Sequence, residues 1–278
     1  MKCAMVTCVS IILPMLLGRT VKYVAAAAQP SGRGVVVLIY HRVGGESGSS
    51  VDLEPALFAE QLRWLHEHRR VVSIDVAVDA LVAHEDVDDV VVITFDDGTA
   101  DFADHVVPAL MAQDTPATLY VATDFMDRGE PFPWGAPPIS WAALRDAAST
   151  GLVTVGSHTH THRLLDRCDE ATVRSEIDRS IDRIGTELDA ATRHFAYPKA
   201  VHGSSFAESV VRERFRSAAL AGTRPNRPGR TDVHRLARSP IQRSDGMRYF
   251  AAKARGGMRL EDDLRRVANR VRYRGASS

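Results

Sequence analysis

Cysteine is scarce in this chain. There are three, Cys3, Cys8 and Cys168, two of them at the extreme N-terminus, so no disulfide framework is implied. Net charge is absent too: 35 basic residues balance 35 acidic ones, leaving no overall pull towards nucleic acid or an anionic membrane. Long apolar runs are also missing. The stretch from Ala4 to Leu17 is broken by Pro14 and is too short to span a bilayer unaided. With Lys2 before it and Ala25 to Ala28 after it, this segment resembles a secretory signal, although Arg19 and Lys22 interrupt the region before the alanines. Export or anchoring at the cell envelope is favoured over a cytoplasmic location. There is no internal repeat and no long low-complexity segment.

What is present is alternation. Val35 to Tyr40 is a continuous apolar run of strand length, and Phe58, Leu62 and Leu65 then stripe a helix from Pro55 to His68. Strands are expected at Val71 to Ile74, Val90 to Phe95, Thr118 to Val121, Leu152 to Val155 and Phe195 to Tyr197, with weaker ones at Ala218 to Ala221 and Leu236 to Ile241. Between them fall helical patterns: Asp75 to Ala83, a helix lined by Val106, Val107, Leu110 and Met111, and one starting at the N-cap Ser140. A long helix carries Val173, Ile177, Ile181, Ile184 and Leu188, and another runs near Phe206 to Phe215. Strand and helix in turn mean an α/β fold with a parallel sheet. Candidate site residues after several strands favour a barrel, whose chemistry lies at the C-terminal ends of its strands. The expected organisation is an apolar segment over 1–30, one main domain over 31–245, and a helical extension over 246–278. That extension is made basic by Arg265, Arg266, Arg270, Arg272 and Arg274, and reads as a solvated helix face in preference to a phosphate- or lipid-binding patch.

Two constellations carry chemistry. Val90 to Gly98 is an apolar run ending on Asp96, Asp97 and Gly98. Neighbouring side chains on a strand face opposite ways, so the two acids serve one centre only where the chain turns, and Gly98 supplies a turn. A turn with solvated acids is the bland alternative. The second constellation, Gly156-Ser-His-Thr-His-Thr-His162, offers imidazoles at His158, His160 and His162. In extended chain the three share a face; in a helical turn His158 and His162 stack and His160 points away. Aspartate with histidines is a ligand set for zinc or a similar divalent ion.

Thr94-Phe-Asp-Asp-Gly98 together with His158-Thr-x-Thr-His162 resembles the polysaccharide deacetylase family, also called the NodB-homology or carbohydrate esterase family 4 domain, from about Val35 to Ile241. The resemblance implies a distorted (β/α) barrel of about seven parallel strands. It implies one divalent metal ion, zinc, held by Asp97, His158 and His162, with Asp96 as general base, and hydrolysis of the N-acetyl or O-acetyl group of an amino-sugar polysaccharide or oligosaccharide. Phe195-Ala-Tyr-Pro-Lys-Ala200 resembles the Phe-Ala-Tyr-Pro-Tyr-Gly branch of the family. That branch has alanine where other members have an arginine orienting the catalytic aspartate, and here Lys199 and Ala200 replace its Tyr-Gly. By matching position, the Lys199 N–H becomes the oxyanion donor. The family's late Leu-x-His-Asp segment has no clear match; Ser239 to Asp245 stands near its place. His202, His234 and His41 are left as candidates to protonate the leaving group. Tyr197, Trp134 and His41 are the expected substrate contacts. Two other functions fit the same residues: a catalytically impaired glycan-binding protein on this fold, and a metal-dependent amidase for a small non-glycan amide.

Overall fold

In the computed structural model, residues 33–85 and 87–258 are described; the N-terminal apolar segment and the arginine run at 265–274 lie outside them. Apolar runs with no polar alternation need cover on both faces, and β1 (Val36–Tyr40) and β3 (Val90–Phe95) are buried at every position. They pair in parallel from Val36↔Val91 to Tyr40↔Phe95. With β2 (Arg70–Val71), β4 (Ala117–Val121), β5 (Val153–Ser157), β6 (His194–Ala196), β7 (Ser217–Ala219) and β8 (Arg238–Pro240) they form a parallel sheet. Its order is β7-β6-β5-β4-β3-β1-β8, with β2 against the start of β3. The two ends of that order meet. Leu220 N–H donates to Leu236 O at 2.8 Å and Gly222 N–H to Arg238 O at 2.7 Å, so seven strands make a nearly closed, distorted barrel, as the family resemblance implies.

The wall separates two apolar clusters. Outside, Leu38, Tyr40, Ile93 and Phe95 pack against Phe58, Leu62 and Leu65 of α1 (Pro55–His68). Inside, Val37, Val92, Tyr120, Ala196, Ala219 and Leu236 share a cluster with Ile74, Val78 and Leu81 of α2 (Ile74–Val82). The expected strand at Val71 to Ile74 is cut short because Ser73 caps α2, its Oγ accepting from Val76 N–H at 3.3 Å, which makes Ile74 the first helical residue. The helix expected around Val106 to Met111 opens instead with a π-helical turn, Phe102–Val106, ahead of the short α3 (Val107–Ala112). Met111 points to solvent. A further short helix, α4 (Thr123–Arg128), follows β4 where no helical pattern was legible.

α5 (Trp141–Ser149) begins at the expected cap, Ser140 Oγ accepting from Ala143 N–H. α6 (Glu170–Leu188) buries Val173, Ile177 and Ile184 of the expected stripe, and α7 (Ser205–Arg214) packs beside it. The last described helix, α8 (Gly246–Ala254), lies on α1, with the Phe250 ring edge-on to Trp64 at 5.7 Å. No helix among the described residues is long and apolar enough to cross a membrane.

Candidate active site

The site is built at the C-terminal ends of β1, β3, β5 and β6. Asp96 continues β3, its N–H donating to Tyr40 O at 3.1 Å. The chain then reverses on Asp97 itself, which takes φ 75°, and Gly98 N–H closes a three-residue turn on Asp96 O at 3.0 Å. This turn, one residue earlier than the glycine suggested, is what separates the two carboxylates. Gly98 is also needed, at φ 89°, because a Cβ there would sit 2.9 Å from Val121 Cγ1.

β5 delivers the histidines. Thr159 and His162 adopt φ 67° and 61°, so the segment is neither strand nor helix and its three imidazoles diverge. His158 and His162 bring Nε2 to 3.6 Å and 3.4 Å from Asp97 Oδ1. His160 turns away, its Nδ1 within 2.8 Å of Thr123 Oγ1 on α4. The segment is pinned to α6 by Glu176: Thr161 donates to its carboxylate through N–H (2.8 Å) and Oγ1 (2.6 Å), and His160 N–H donates to its backbone oxygen at 3.0 Å. Non-glycine residues with positive φ cost on the order of 1–3 kcal/mol each. Asp97, His162 and Lys199, all of this kind, line one opening, and Thr159 and Ala200, of the same kind, belong to the same two loops.

Asp97, His158 and His162 place one donor atom each within 4.8 Å of one another, a group that can hold a metal ion. Two features of the chain fit that use. Donors arranged tetrahedrally at about 2.1 Å from one ion stand about 3.4 Å apart, close to the spacings seen. His158 Nδ1–H donates to Ala196 O at 2.8 Å, which fixes the tautomer that turns a bare Nε2 towards Asp97. Cys168 takes no part; its Sγ–H donates to Leu164 O. Above the group opens a cavity of about 430 Å³ lined by His41, Arg42, Ser47 to Ser49, Val51, Asp97, Trp134, His158, His162 and Lys199.

A family profile described as polysaccharide deacetylase matches residues 83–216, which hold β3 to β6 and both motifs. This segment, with both motifs in it, is what the chain shares with polysaccharide deacetylases. Among solved structures, IcaB from Ammonifex degensii is 26% identical with a TM-score of 0.72, covering 81% of this chain and 98% of its own. The Streptococcus pyogenes deacetylase PplD, in complex with acetate, is 20% identical with a TM-score of 0.70 over 81% and 99%. A de-N-acetylase from Aggregatibacter actinomycetemcomitans is 19% identical with a TM-score of 0.65 over 78% and 99%. The last two are likenesses of fold. No curated protein matches.

Within the site the two acids have different partners. Asp96 is gripped by Arg238 of β8: Nη1 donates to Oδ1 at 2.6 Å and Nη2 to Oδ2 at 2.8 Å, with the guanidinium fully buried. Burial works to raise the Asp96 carboxyl, but the charge and hydrogen bond of Arg238, together with the neighbouring His158 and His41, override it and hold the group below its usual range. Burial likewise opposes ionisation of Asp97, and the hydrogen bond from His162 with the neighbouring imidazoles holds it low. Burial pushes His158 down from 6.5 to about 4, so it stays neutral and free to ligate at neutral pH.

Arg238 was missed in the sequence. Its signal was an arginine two residues after Leu236, on the same inward face of a strand-like run, since a barrel strand turns every second side chain inward. Tyr197 corrects an expectation. The same alternation points Ala196 into the barrel and sends Phe195 and Tyr197 out among Leu165, Val210 and Phe215, where Tyr197 is fully buried and lines no part of the cavity. Of the three spare histidines, His202 stacks on Tyr197 and His234 Nε2 lies 2.8 Å from Phe215 O. Only His41 lines the cavity, with a buried Nδ1 that has no partner among the described residues. Trp134 stands 46% exposed at the rim, stacked on Phe132 and edge-on to His162. Lys199 also lines the opening from a tight turn in which Ala200 N–H donates to Tyr197 O and Val201 N–H to Pro198 O.

Proposed function

We propose that this protein is a metal-dependent hydrolase that removes the acetyl group from an N-acetylated amino-sugar glycan. The observation that carries the reading is the split between adjacent carboxylates. Asp97 faces two imidazoles as a ligand would, while Asp96 is held by an arginine as a base would be. Asp97, His158 and His162 hold a divalent ion, zinc being the metal that suits two imidazoles and one carboxylate. When bound, the ion lowers the pKa of water and polarises the acetyl carbonyl.

The chain's own residues do the rest. Asp96 accepts the proton of the attacking water as that water adds to the carbonyl carbon. The Lys199 N–H, on a turn at the cavity edge, meets the oxygen on which charge develops. His41 donates a proton to the sugar nitrogen as the C–N bond breaks, which leaves acetate and a free amine. Trp134 offers an exposed ring face to the sugar.

The test separates the two acids. Asp96→Asn should abolish acetate release from an acetylated chitooligosaccharide, by about a thousandfold or more, with bound metal retained, whereas Asp97→Asn should lose the metal itself. Equal metal loss in both variants would make Asp96 a ligand. A parent protein that binds metal and sugar but releases no acetate would be a glycan-binding protein instead. Release from small amides alone would make it an amidase.

A further inference from the structure

Arg238 is itself supported, and the support crosses the barrel. We infer that Gly156, Tyr120 and Arg238 form a stacked column whose role is to set the direction of the Asp96 carboxylate, so that Tyr120 and Gly156 are positioning residues for the catalytic base. This rests on the assignment of Asp96 as that base.

Gly156 of β5 stands opposite Tyr120 of β4 in the parallel register. The tyrosine ring lies directly on the glycine: a Cβ at 156 would fall 2.6 Å from Cδ1 and 2.7 Å from Cε1 of Tyr120, and 2.8 Å from His194 O. No side chain fits, and backbone on the far side prevents a retreat. The Arg238 guanidinium lies over the same ring, its Cζ 5.2 Å from the centroid. The edges of the guanidinium are fixed as well. Nε donates to Leu220 O at 3.1 Å, and Nη1 donates to Thr94 Oγ1 at 3.1 Å besides its bond to Asp96. Thr94 is locked in turn by donating to Leu38 O at 2.7 Å.

A planar fork bound to both oxygens of a carboxylate dictates the plane of that carboxylate. The plane of the fork is dictated by the ring beneath it, and the height of the ring by the missing side chain at 156. Both Tyr120 and Arg238 are fully buried, and neither lines the cavity. The Tyr120 hydroxyl is buried with no hydrogen-bond partner among the described residues, so the column uses the ring face and not the hydroxyl.

That distinction gives the experiment. Tyr120→Phe keeps the ring and should leave kcat within about twofold of the parent. Tyr120→Leu and Gly156→Ala should lower kcat by roughly ten- to a hundredfold, the scale of a misplacement of about 1 Å, with KM and bound metal unchanged. Arg238→Lys, which keeps the charge but loses the fork, should fall at least as far. Turnover is normalised to metal-loaded protein and read well below each variant's melting temperature, so that lost folding does not pass for lost positioning. Full turnover in Tyr120→Leu overturns the column, as does a Tyr120→Phe as impaired as Tyr120→Leu, or activity loss that only tracks metal loss. A parent without acetate release overturns the deacetylase reading and the column with it.

Discussion

At the scale of single residues, the site assigns sharply different roles to chemically alike neighbours. His162 comes within 3.4 Å of Asp97, while His160, two residues earlier, is buried against Thr123 and faces Asp124. His162→Ala should therefore empty the protein of zinc on dialysis and His160→Ala should not, as metal analysis of the purified variants will read. The reverse pattern would require a different ligand set. Lys199 is the other test at this scale. Its side chain is exposed, and a flexible ammonium is a poorly preorganised donor beside the ion that the proposed mechanism places at the carbonyl. Lys199→Met should thus lower kcat by no more than about tenfold; a thousandfold loss would make the ammonium, rather than the backbone N–H, the principal oxyanion donor.

The elements explain which parts of the site were legible in the sequence and which were not. Asp96-Asp97-Gly98 and the histidine cluster could be read because each is local, written within a few residues at the end of one apolar run. The alternation of strand and helix followed from equally local periodicities, and the seven-strand barrel from the family resemblance. Arg238 acts on a residue 142 positions away, and no spacing rule reaches that far; what placed it was the closure of β8 against β1. Tyr197 went astray because the motif names it next to functional residues, while strand alternation sends it to the opposite face. α4 is only six residues long, too short for a period to show. Glu176 illustrates how an element enters the site without touching it. α6 presents its carboxylate to Thr161, next to His162, and Glu176→Gln should weaken zinc affinity by about tenfold in a calorimetric titration by loosening that loop. Unchanged affinity would show that the loop holds its shape without α6.

For the whole molecule, the buried imidazole at the centre of the barrel mouth links folding to acidity. In metal-free protein, His158 resists protonation down to about 4, whereas an unfolded chain takes up that proton at 6.5. Stability is therefore full above pH 6.5 and declines as the medium is acidified towards 4, by about 3 kcal/mol from this group. Asp96 and Asp97, both held below the usual carboxylate range, extend the decline to lower pH. Melting temperatures of chelator-treated protein should fall across that interval, and His158→Gln should flatten the upper part of the fall; a melting temperature that rises on acidification would contradict the assignment.

The seam between β7 and β8 also has a meaning in time. Synthesis runs from the N-terminus, so a growing chain has made Asp97, His158 and His162 long before it makes Arg238, the residue that pairs with Asp96. Until β8 arrives, the barrel has an unsealed edge and Asp96 lacks its arginine partner. On the proposed reading, the residues that would hold a metal are thus made well before the arginine that pairs with the base, and the last strand to emerge is the one that completes the site.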